Sequence, residues 1–519
     1  MSRAFRWCGW FVGLCLVLAL VQPGVVMADD DDDDDWDEPV SVQSDDDDDD
    51  DDDDRDDDDW DEPVSVPSGD GDDSDDDGDD DDRNEPVSVQ SDDDDDDDWD
   101  DDDRDDDDDD REEPVATQTD DDDDDDWDDE DSDDDDDWDQ TFDREVPDQA
   151  IVQLQPDVDP NAFAARYDAT VLRVIPTSNI VLLGLDAGMD DASELAAMTS
   201  DGDVSWSEMN YTNQAPEGRP RYFFTSTVGE SMIVNEPALP AGLEFTPETS
   251  CVTGAGVVVA VLDTGIDPSH PDLADKVLPN GIDTLENTTD VRDIGNGIDD
   301  DGDGTVDEMV GHGTNVAGIV TQVAPNAQIL PVKVLDSDGV GNTFSVVSGI
   351  HYAVEQGADV INLSLGTTYD SLAIREAVSF AVDQGVLVAA AAGNGDQQDP
   401  VEYPAAVDEV ISVAATDANG DKASYSNYHQ TVDISAPGDN VASAYPDGRY
   451  ITASGTSMST PLVAGAAALM MERHPGATPS QVMTVLQNTS GPLSLSNPAL
   501  EGLLGAGEID IDAVISCAG

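Results

Sequence analysis

Three short segments, far apart in the chain, place an acid, a base and a hydroxyl where they could support nucleophilic catalysis. Asp263 follows the apolar run 257–262, and His312 lies between two glycines at the start of a small-residue helical segment. Ser457 precedes an apolar run of helix-forming residues. A serine at a helix N-terminus lies beside unpaired backbone N–H groups, which stabilise the negative charge of an acyl oxyanion. Taken alone, Ser457 could equally be an ordinary helix cap.

Taken together, the three segments resemble the catalytic motifs of the subtilisin-like serine proteases, or subtilases. Asp263, His312 and Ser457 follow one another in the chain order that this family uses. The resemblance implies that Ser457 attacks the scissile carbonyl, that His312 carries the proton to the leaving amine, and that Asp263 orients His312. It therefore implies a serine endopeptidase that hydrolyses polypeptide substrates through an acyl-enzyme.

The same resemblance extends to residues that would bind substrate and stabilise charge. Asn394 ends an apolar, alanine-rich strand and resembles the side-chain donor of the family's oxyanion hole, with a plain turn residue as the alternative. The implied substrate-binding residues are Ser364, Leu365 and Gly366 along a strand edge, and Ala391, Ala392 and Gly393 in the pocket for the residue before the cut. Backbone pairing at the edge implies broad specificity, and the small pocket residues predict an apolar or aromatic preference.

Alternating strand and helix patterns from Gly256 onward predict an α/β fold with a doubly wound parallel sheet. Predicted strands cover 257–262, 328–335, 359–363, 386–391, 410–414 and 431–434, and predicted helices cover 343–356, 371–384, 460–473 and 479–489. Such alternation is typical of a parallel sheet with helices on both faces. Sites in these sheets lie at the carboxyl ends of the strands, where Asp263 falls. We assign residues 250–519 to this domain.

A smaller α+β domain is predicted at 142–210. Strands at 150–154, 171–175, 180–185 and 204–209 alternate with helices at 159–167 and 193–198, which is a split βαβ layout. In order and position the segment resembles the inhibitor-like propeptide of subtilases, which would make it a partner of its own catalytic domain; an unrelated small domain is the alternative. Residues 211–249 contain five prolines and predict a linker that holds the maturation cut.

The first 140 residues differ from the rest in composition. Residues 1–28 combine Arg3 and Arg6 with an apolar run and small residues near Ala28, a pattern typical of a secretory signal peptide. Removing it would leave no membrane segment, so we expect a secreted protein, extracellular or periplasmic. Residues 29–140 are aspartate runs interrupted by a repeated Glu-Pro-Val phrase. Repulsion between like charges predicts that this tract is disordered.

The formal net charge of -108 limits the possible partners. Residues 1–140 carry 72 of the 126 acidic residues, so much of the charge belongs to the aspartate tract. A charge of this sign disfavours binding to nucleic acid. The tract could bind divalent cations or basic surfaces, or it could be a solvated spacer. A second function stays open: a catalytically silent subtilase scaffold that acts as a binding protein through this tract.

Two cysteines remain after the predicted signal peptide, and they bracket the larger domain. Cys251 precedes its first strand and Cys517 lies near the end of the chain. In a secreted protein, two cysteines so placed predict a disulfide bond. Closing so long a loop would stabilise the fold by about 4–5 kcal/mol at most in the chain-entropy model.

An acidic insertion between Asp263 and His312 predicts a structural calcium site. Carboxylates alternate along it, with Gly302 where a sharp turn is needed, as in the first part of an EF-hand loop. The match fails at position 12, which is Val310, so we expect a partial site that Glu308 or Asp293 could complete. The tentative ligands are Asp299, Asp301, Asp303, Thr305, Asp307 and Glu308. The sequence suggests neither zinc nor an organic cofactor.

Overall fold

The computed structural model describes residues 144–187, 191–218, 232–240, 243, 251–493 and 498–515. The predicted signal peptide, the aspartate tract and Cys517 lie outside these ranges. Within them, no helix has both the length and the apolar character needed to cross a membrane.

The first domain is a four-stranded antiparallel sheet with two helices. In chain order it comprises β1 (Glu145–Leu154), α1 (Pro160–Ala164), β2 (Thr170–Ile175), β3 (Ile180–Gly184), α2 (Asp191–Thr199) and β4 (Val204–Gln214). The strands lie in the order β2-β3-β1-β4. Its own apolar core packs Phe163 and Met198 against the inward side of β1 and β3. The predicted split layout is therefore present.

The second domain contains the remaining elements. Its strands are β5 (Ile233–Val234), β6 (Val258–Asp263), β7 (Ile282–Asp283), β8 (Gln328–Lys333), β9 (Val340–Asn342), β10 (Val360–Leu363), β11 (Leu387–Ala391), β12 (Ile411–Thr416), β13 (Ile434–Pro437), β14 (Val441–Tyr445) and β15 (Arg449–Ala453). Its helices are α3 (His312–Val323), α4 (Thr343–Glu355), α5 (Leu372–Asp383), α6 (Thr456–Arg473), α7 (Pro479–Thr489) and α8 (Ile511–Ile515).

Seven of these strands form one parallel sheet in the order β13-β12-β11-β10-β6-β8-β7. Strands that follow β6 in the chain lie on both sides of it, β10 to β13 on one side and β8 and β7 on the other. A doubly wound sheet requires this arrangement. Strands β10 to β13 are buried along their whole length, which explains why they are continuous apolar runs and do not alternate. Asp263 ends β6, and Asn394 follows three residues after β11. The sheet therefore brings both to its carboxyl edge.

The prediction of a linker from residue 211 onward is wrong for its first eight residues. Strand β4 continues to Gln214, and a short 3-10 turn covers Pro216–Gly218. The end of β4 pairs with β9 of the second domain, Asn213 opposite Gly341. Periodicity could not reveal this extension because the pairing partner lies more than 120 residues away in sequence.

Polar side chains of β4 also hold the two domains together at helix N-termini. The Glu208 carboxylate accepts hydrogen bonds from the Ser371 hydroxyl and from two backbone N–H groups at the start of α5. The Asn210 side chain accepts from the Phe344 N–H at the start of α4. These N–H groups have no partner within their helices, so the first domain satisfies them.

Candidate active site

Asp263 and His312 are joined by a buried hydrogen bond. The Asp263 Oδ1 lies 2.7 Å from the His312 Nδ1 and also accepts the Thr264 N–H at 2.8 Å. Both side chains are fully buried. A carboxylate on Nδ1 favours the tautomer that leaves Nε2 able to accept a proton.

Asp293, which the sequence suggested only as a further calcium ligand, instead positions the histidine. One of its oxygens accepts the Gly311 N–H at 2.9 Å, and the other accepts both the N–H and the hydroxyl of Thr314. Asp293 thus caps the N-terminus of α3 from outside the helix, where a negative charge is favourable. It also accepts the hydroxyl of Thr264, the residue after Asp263, at 3.1 Å.

Ser457 lies in the first turn of α6, as the sequence predicted, but the helix begins four residues before the predicted start. Pro461 lies inside the helix and cannot donate to the Ser457 carbonyl four residues earlier. The Ser364 hydroxyl donates to this carbonyl at 3.0 Å. Ser364 thus holds the start of α6 against the strand edge.

Asn394 faces the N-terminus of α6. Its Oδ1 accepts both the N–H and the hydroxyl of Thr456 at 2.9 Å. These two bonds fix the amide so that Nδ2 points away from Thr456 as a donor. The residue before it, Gly393, has a φ of +103°, a conformation that favours glycine.

Glu217 contacts Ser457, His312 and Asn394 at once, and no pattern in the sequence predicted this. Its Oε2 lies 2.6 Å from the Ser457 hydroxyl and 3.1 Å from the His312 Nε2. Its Oε1 accepts the Asn394 Nδ2 at 2.8 Å and lies 3.4 Å from the Ser457 backbone nitrogen. One buried carboxylate therefore contacts the hydroxyl, the base and both N–H donors. Gly455 leaves room for it, because a Cβ atom there would lie 1.8 Å from Oε1.

The chain leading to Glu217 lies along the predicted substrate edge. Gln214 and Gly366 exchange two backbone hydrogen bonds, and the Ala215 N–H donates to the Gly339 carbonyl. The segment thus forms a short strand between β9 and the edge containing Gly366, the arrangement in which an extended peptide binds a sheet edge.

Electrostatics stabilise this contact. Burial by itself would lower the pKa of His312, but the carboxylates of Asp263 and Glu217 outweigh it and raise this pKa to about 10. For Glu217, burial acts to raise the pKa, and its bonds with His312, Ser457 and Asn394 lower it overall. The two groups therefore favour a charged pair at neutral pH.

Comparison with known proteins agrees with this geometry. Residues 254–507 match the model of the subtilase family, peptidase S8, and residues 143–210 match the fervidolysin N-terminal prodomain. Thermitase of Thermoactinomyces vulgaris is 41% identical over 251 residues, which are 46% of this chain and 83% of that protein. The chain belongs to the subtilase family. It is a serine endopeptidase with an N-terminal prodomain.

Two further comparisons describe the extent of the likeness. Subtilisin BL of Lederbergia lenta is 40% identical over 264 residues, which cover 49% of this chain and 91% of that protein. The crystal structure of fervidolysin from Fervidobacterium pennivorans superposes with a TM-score of 0.58 at 23% identity, covering 71% of this chain and 60% of that one. The latter likeness concerns the fold alone.

The acidic insertion of this subtilase is irregular, with side-chain carboxylates accepting nearby backbone N–H groups. Asp299, Asp301 and Asp303 each offer one carboxylate oxygen, and these three oxygens lie within 4.8 Å of one another. The Asp301 Oδ2 is buried and has no hydrogen-bond partner among the described residues. Asp307 lies apart from them, since its carboxylate accepts the backbone N–H groups of Asn296 and Gly297.

Other predicted ligands of the insertion differ in their surroundings. Glu308 is buried rather than at the loop surface, and Thr305 donates its N–H to Asp303. Asp338, which the sequence did not single out, is fully buried beside the loop and accepts the N–H groups of Asp300 and Asp307. The cluster that could hold a cation is therefore smaller than the predicted set.

Cys251 is disulfide-bonded, and its sulfur lies 3.7 Å from the carbonyl oxygen of Ile515. That contact places it close to the end of the chain, although Cys517 itself lies outside the described residues. Pairing of Cys251 with Cys517 stays a prediction.

Proposed function

We propose that this chain is the precursor of a secreted subtilase whose nucleophile is Ser457, whose general base is His312 and whose orienting carboxylate is Asp263. The observation that supports it best is the position of the Glu217 carboxylate. This anion accepts a bond from the serine hydroxyl and reaches Nε2 of the histidine and the Asn394 amide at once. A tetrahedral acyl-transfer intermediate needs the same donors around its oxyanion.

In the proposed mechanism, a substrate replaces the prodomain segment. The Ser457 Oγ attacks the carbonyl carbon while its proton passes to the His312 Nε2. The oxyanion accepts bonds from the Asn394 Nδ2 and the Ser457 N–H. His312 then gives the proton to the leaving amine, and water hydrolyses the acyl-enzyme by the reverse steps. Asp263 stabilises the imidazolium throughout.

Labelling with a fluorophosphonate, which reacts with an activated serine, tests this proposal. We expect one label on the processed enzyme, located on Ser457. No labelling of processed, folded enzyme would favour the second candidate, a silent binding protein. The proposal also includes a signal peptide at 1–28, an aspartate tract at 29–140, a prodomain at 142–210 and a maturation cut within 211–249. Whether the tract binds divalent cations is tested by calcium titration of that segment.

The prodomain is proposed to inhibit the enzyme through Glu217. We expect the precursor to react slowly with the fluorophosphonate at neutral pH, because the Glu217 carboxylate covers Ser457 and keeps His312 protonated. The pKa of His312 is raised in the precursor, so protonation of His312 stabilises docking of the prodomain. This stabilisation is present at neutral pH and is lost as pH rises through about 10. Glu217, whose pKa is lowered, loses its contribution only as pH falls. Labelling of the precursor should therefore rise towards pH 10.

The measurement is fluorophosphonate labelling across pH, with precursor and processed bands separated on a gel. In Glu217→Ala, the labelling profile of the precursor should move to lower pH, towards that of the processed enzyme. Glu208→Ala is the matched control, since it removes a buried interface carboxylate outside the cleft. Identical profiles for wild-type and Glu217→Ala precursors would show that Glu217 does not control the site.

We also propose that Asp299, Asp301 and Asp303 bind a structural calcium ion, since carboxylate oxygens are the ligands Ca²⁺ prefers. Binding at 100-fold excess over Kd would stabilise the protein by about 2.7 kcal/mol, or roughly 5–10 °C in Tm for a domain of this size. We expect millimolar calcium to raise the Tm of the Ser457→Ala chain relative to EGTA.

Asp301→Asn combined with Asp303→Asn should remove this shift. The control is Asp275→Asn with Asp383→Asn, two exposed acids outside the insertion. Because all variants retain the aspartate tract, any difference between them reports the insertion alone. A calcium shift of the same size in the Asp301/Asp303 variant would exclude the site.

A further inference from the structure

Glu402 is a buried acid at the border of the substrate cleft. Its neighbour Tyr403 exchanges two backbone hydrogen bonds with Thr367, at 2.8 and 3.0 Å. This pairing fixes Glu402 beside Gly366, the residue whose backbone pairs with Gln214 in the cleft. Only 2% of the Glu402 surface is exposed.

The carboxylate lies in the space left open by two glycines. A Cβ atom added to Gly366 would lie 2.3 Å from the Glu402 Oε2, and one added to Gly393 would lie 2.4 Å from Oε1. These glycines end the two segments, 364–366 and 391–393, that were predicted to bind substrate. Glu402 therefore lies between the two walls of the predicted pocket.

The strand in the cleft shows which substrate residue would enter this space. Gln214 pairs with Gly366, and the chain reaches Ser457 three residues later, at Glu217. A substrate in this register passes between the walls as it approaches the nucleophile. We expect the side chain just before the cut bond to face Glu402, since residues 391–393 were predicted to line the pocket for that side chain.

We propose that Glu402 forms the floor of this pocket and selects arginine or lysine before the cut bond. The inference rests on the proposed function, because it needs Ser457 as the nucleophile. Charge-assisted hydrogen bonds from a guanidinium or ammonium group are strong in a site of low dielectric. An aromatic side chain would cover the carboxylate and offer it no donor. A carboxylate at the bottom of the pocket thus predicts a basic residue before the cut bond. The small residues of the walls had predicted an apolar or aromatic one.

The test compares processed wild-type enzyme on peptide substrates that differ only in the residue before the cut: Arg, Lys, Phe or Leu. We expect kcat/KM to favour Arg and Lys over Phe and Leu by roughly 100-fold, the range set by losing one partner of a buried charge pair. Glu402→Gln should reduce the Arg/Phe ratio by a similar factor. Glu409→Gln, an exposed acid on the same segment, should leave the ratio as it is.

A wild-type preference for Phe or Leu would overturn the inference without any variant, while fluorophosphonate labelling of Ser457 would show that the proposed function still holds. An unchanged Arg/Phe ratio in labelled Glu402→Gln would overturn it as well. If Glu402→Gln does not fold, Glu402→Asp serves instead. Its Arg/Phe ratio should lie between that of the wild type and the ratio expected for Glu402→Gln. Failure of all labelling would reject the proposed function and this inference together.

Discussion

Ser457→Ala is expected to lower kcat/KM for peptide hydrolysis by on the order of a million-fold, the size of the loss when subtilisin loses its nucleophile. The substitution removes the atom that attacks the carbonyl, so His312 has no proton to accept. Residual turnover would come only from the oxyanion donors and substrate binding. The measurement is hydrolysis of a chromogenic peptide by processed enzyme, with the variant and the wild type compared at equal concentrations of folded protein.

Because a chain with Ser457→Ala cannot cut itself, processing must come from a trace of active enzyme, which is then removed. Ser459→Ala is the matched control. It lies in the same turn of α6, and its hydroxyl donates to the Ala436 carbonyl away from the cleft. We expect this control to keep most of its activity. Hydrolysis by Ser457→Ala within tenfold of the control would mean that another residue is the nucleophile.

The sequence was sufficient for six of the seven strands of the parallel sheet, because their signals are local, whereas β7 and the hairpin of β14 and β15 were not predicted. Strands such as β11 and β12 are continuous apolar runs, and the helices between them show a clear period. Their predicted ends fall within a few residues of the observed ones, and α7 has the same bounds in both. The predicted start of α6 was four residues late. Pro461 lies inside the helix, and the Ser364 hydroxyl donates to the Ser457 carbonyl, which Pro461 cannot reach with an N–H.

The three acids that shape the site could not be predicted, each for a different physical reason. Glu217 follows a strand whose end is defined only by pairing with β9 and Gly366. Asp293 caps α3 across a gap of 18 residues, so no local capping pattern reveals it. Glu402 reaches the pocket because two glycines elsewhere in the chain lack side chains. In each case the information lies in contacts between distant segments.

These acids also show how the prodomain fits the enzyme. Glu208 accepts N–H groups at a helix N-terminus, and Glu217 accepts from the donors that we propose for the oxyanion, so the prodomain uses carboxylates at positions that favour negative charge. Burial opposes ionisation of Glu217, but its bonds with His312, Ser457 and Asn394 lower its pKa overall, so this carboxylate holds the prodomain most firmly while it is ionised. Burial raises the pKa of Glu208, so ionisation of Glu208 does not add to this effect. We expect the donors to become available to substrate once Glu217 leaves them.

The second large effect is expected for Asn394, whose Nδ2 is the side-chain donor proposed for the oxyanion. Removing one such donor lowers kcat by about 100- to 1,000-fold in subtilisin, or about 2.7–4 kcal/mol. KM should change little, because the contact strengthens only as charge develops in the transition state. Steady-state kinetics of processed Asn394→Ala, normalised to titrated active sites, measures both constants.

Asn394 has a second contact that could also explain a loss of activity, since its Oδ1 accepts the N–H and the hydroxyl of Thr456 at the start of α6. Asn394→Asp separates the two roles, because it keeps an acceptor for Thr456 but has no N–H to donate. If oxyanion donation matters, the alanine and aspartate variants should both lose kcat, the aspartate at least as severely because its charge opposes the oxyanion. If the Thr456 contact matters instead, the aspartate variant should retain most of the activity that the alanine variant loses, and Asn394 would then be a positioning residue.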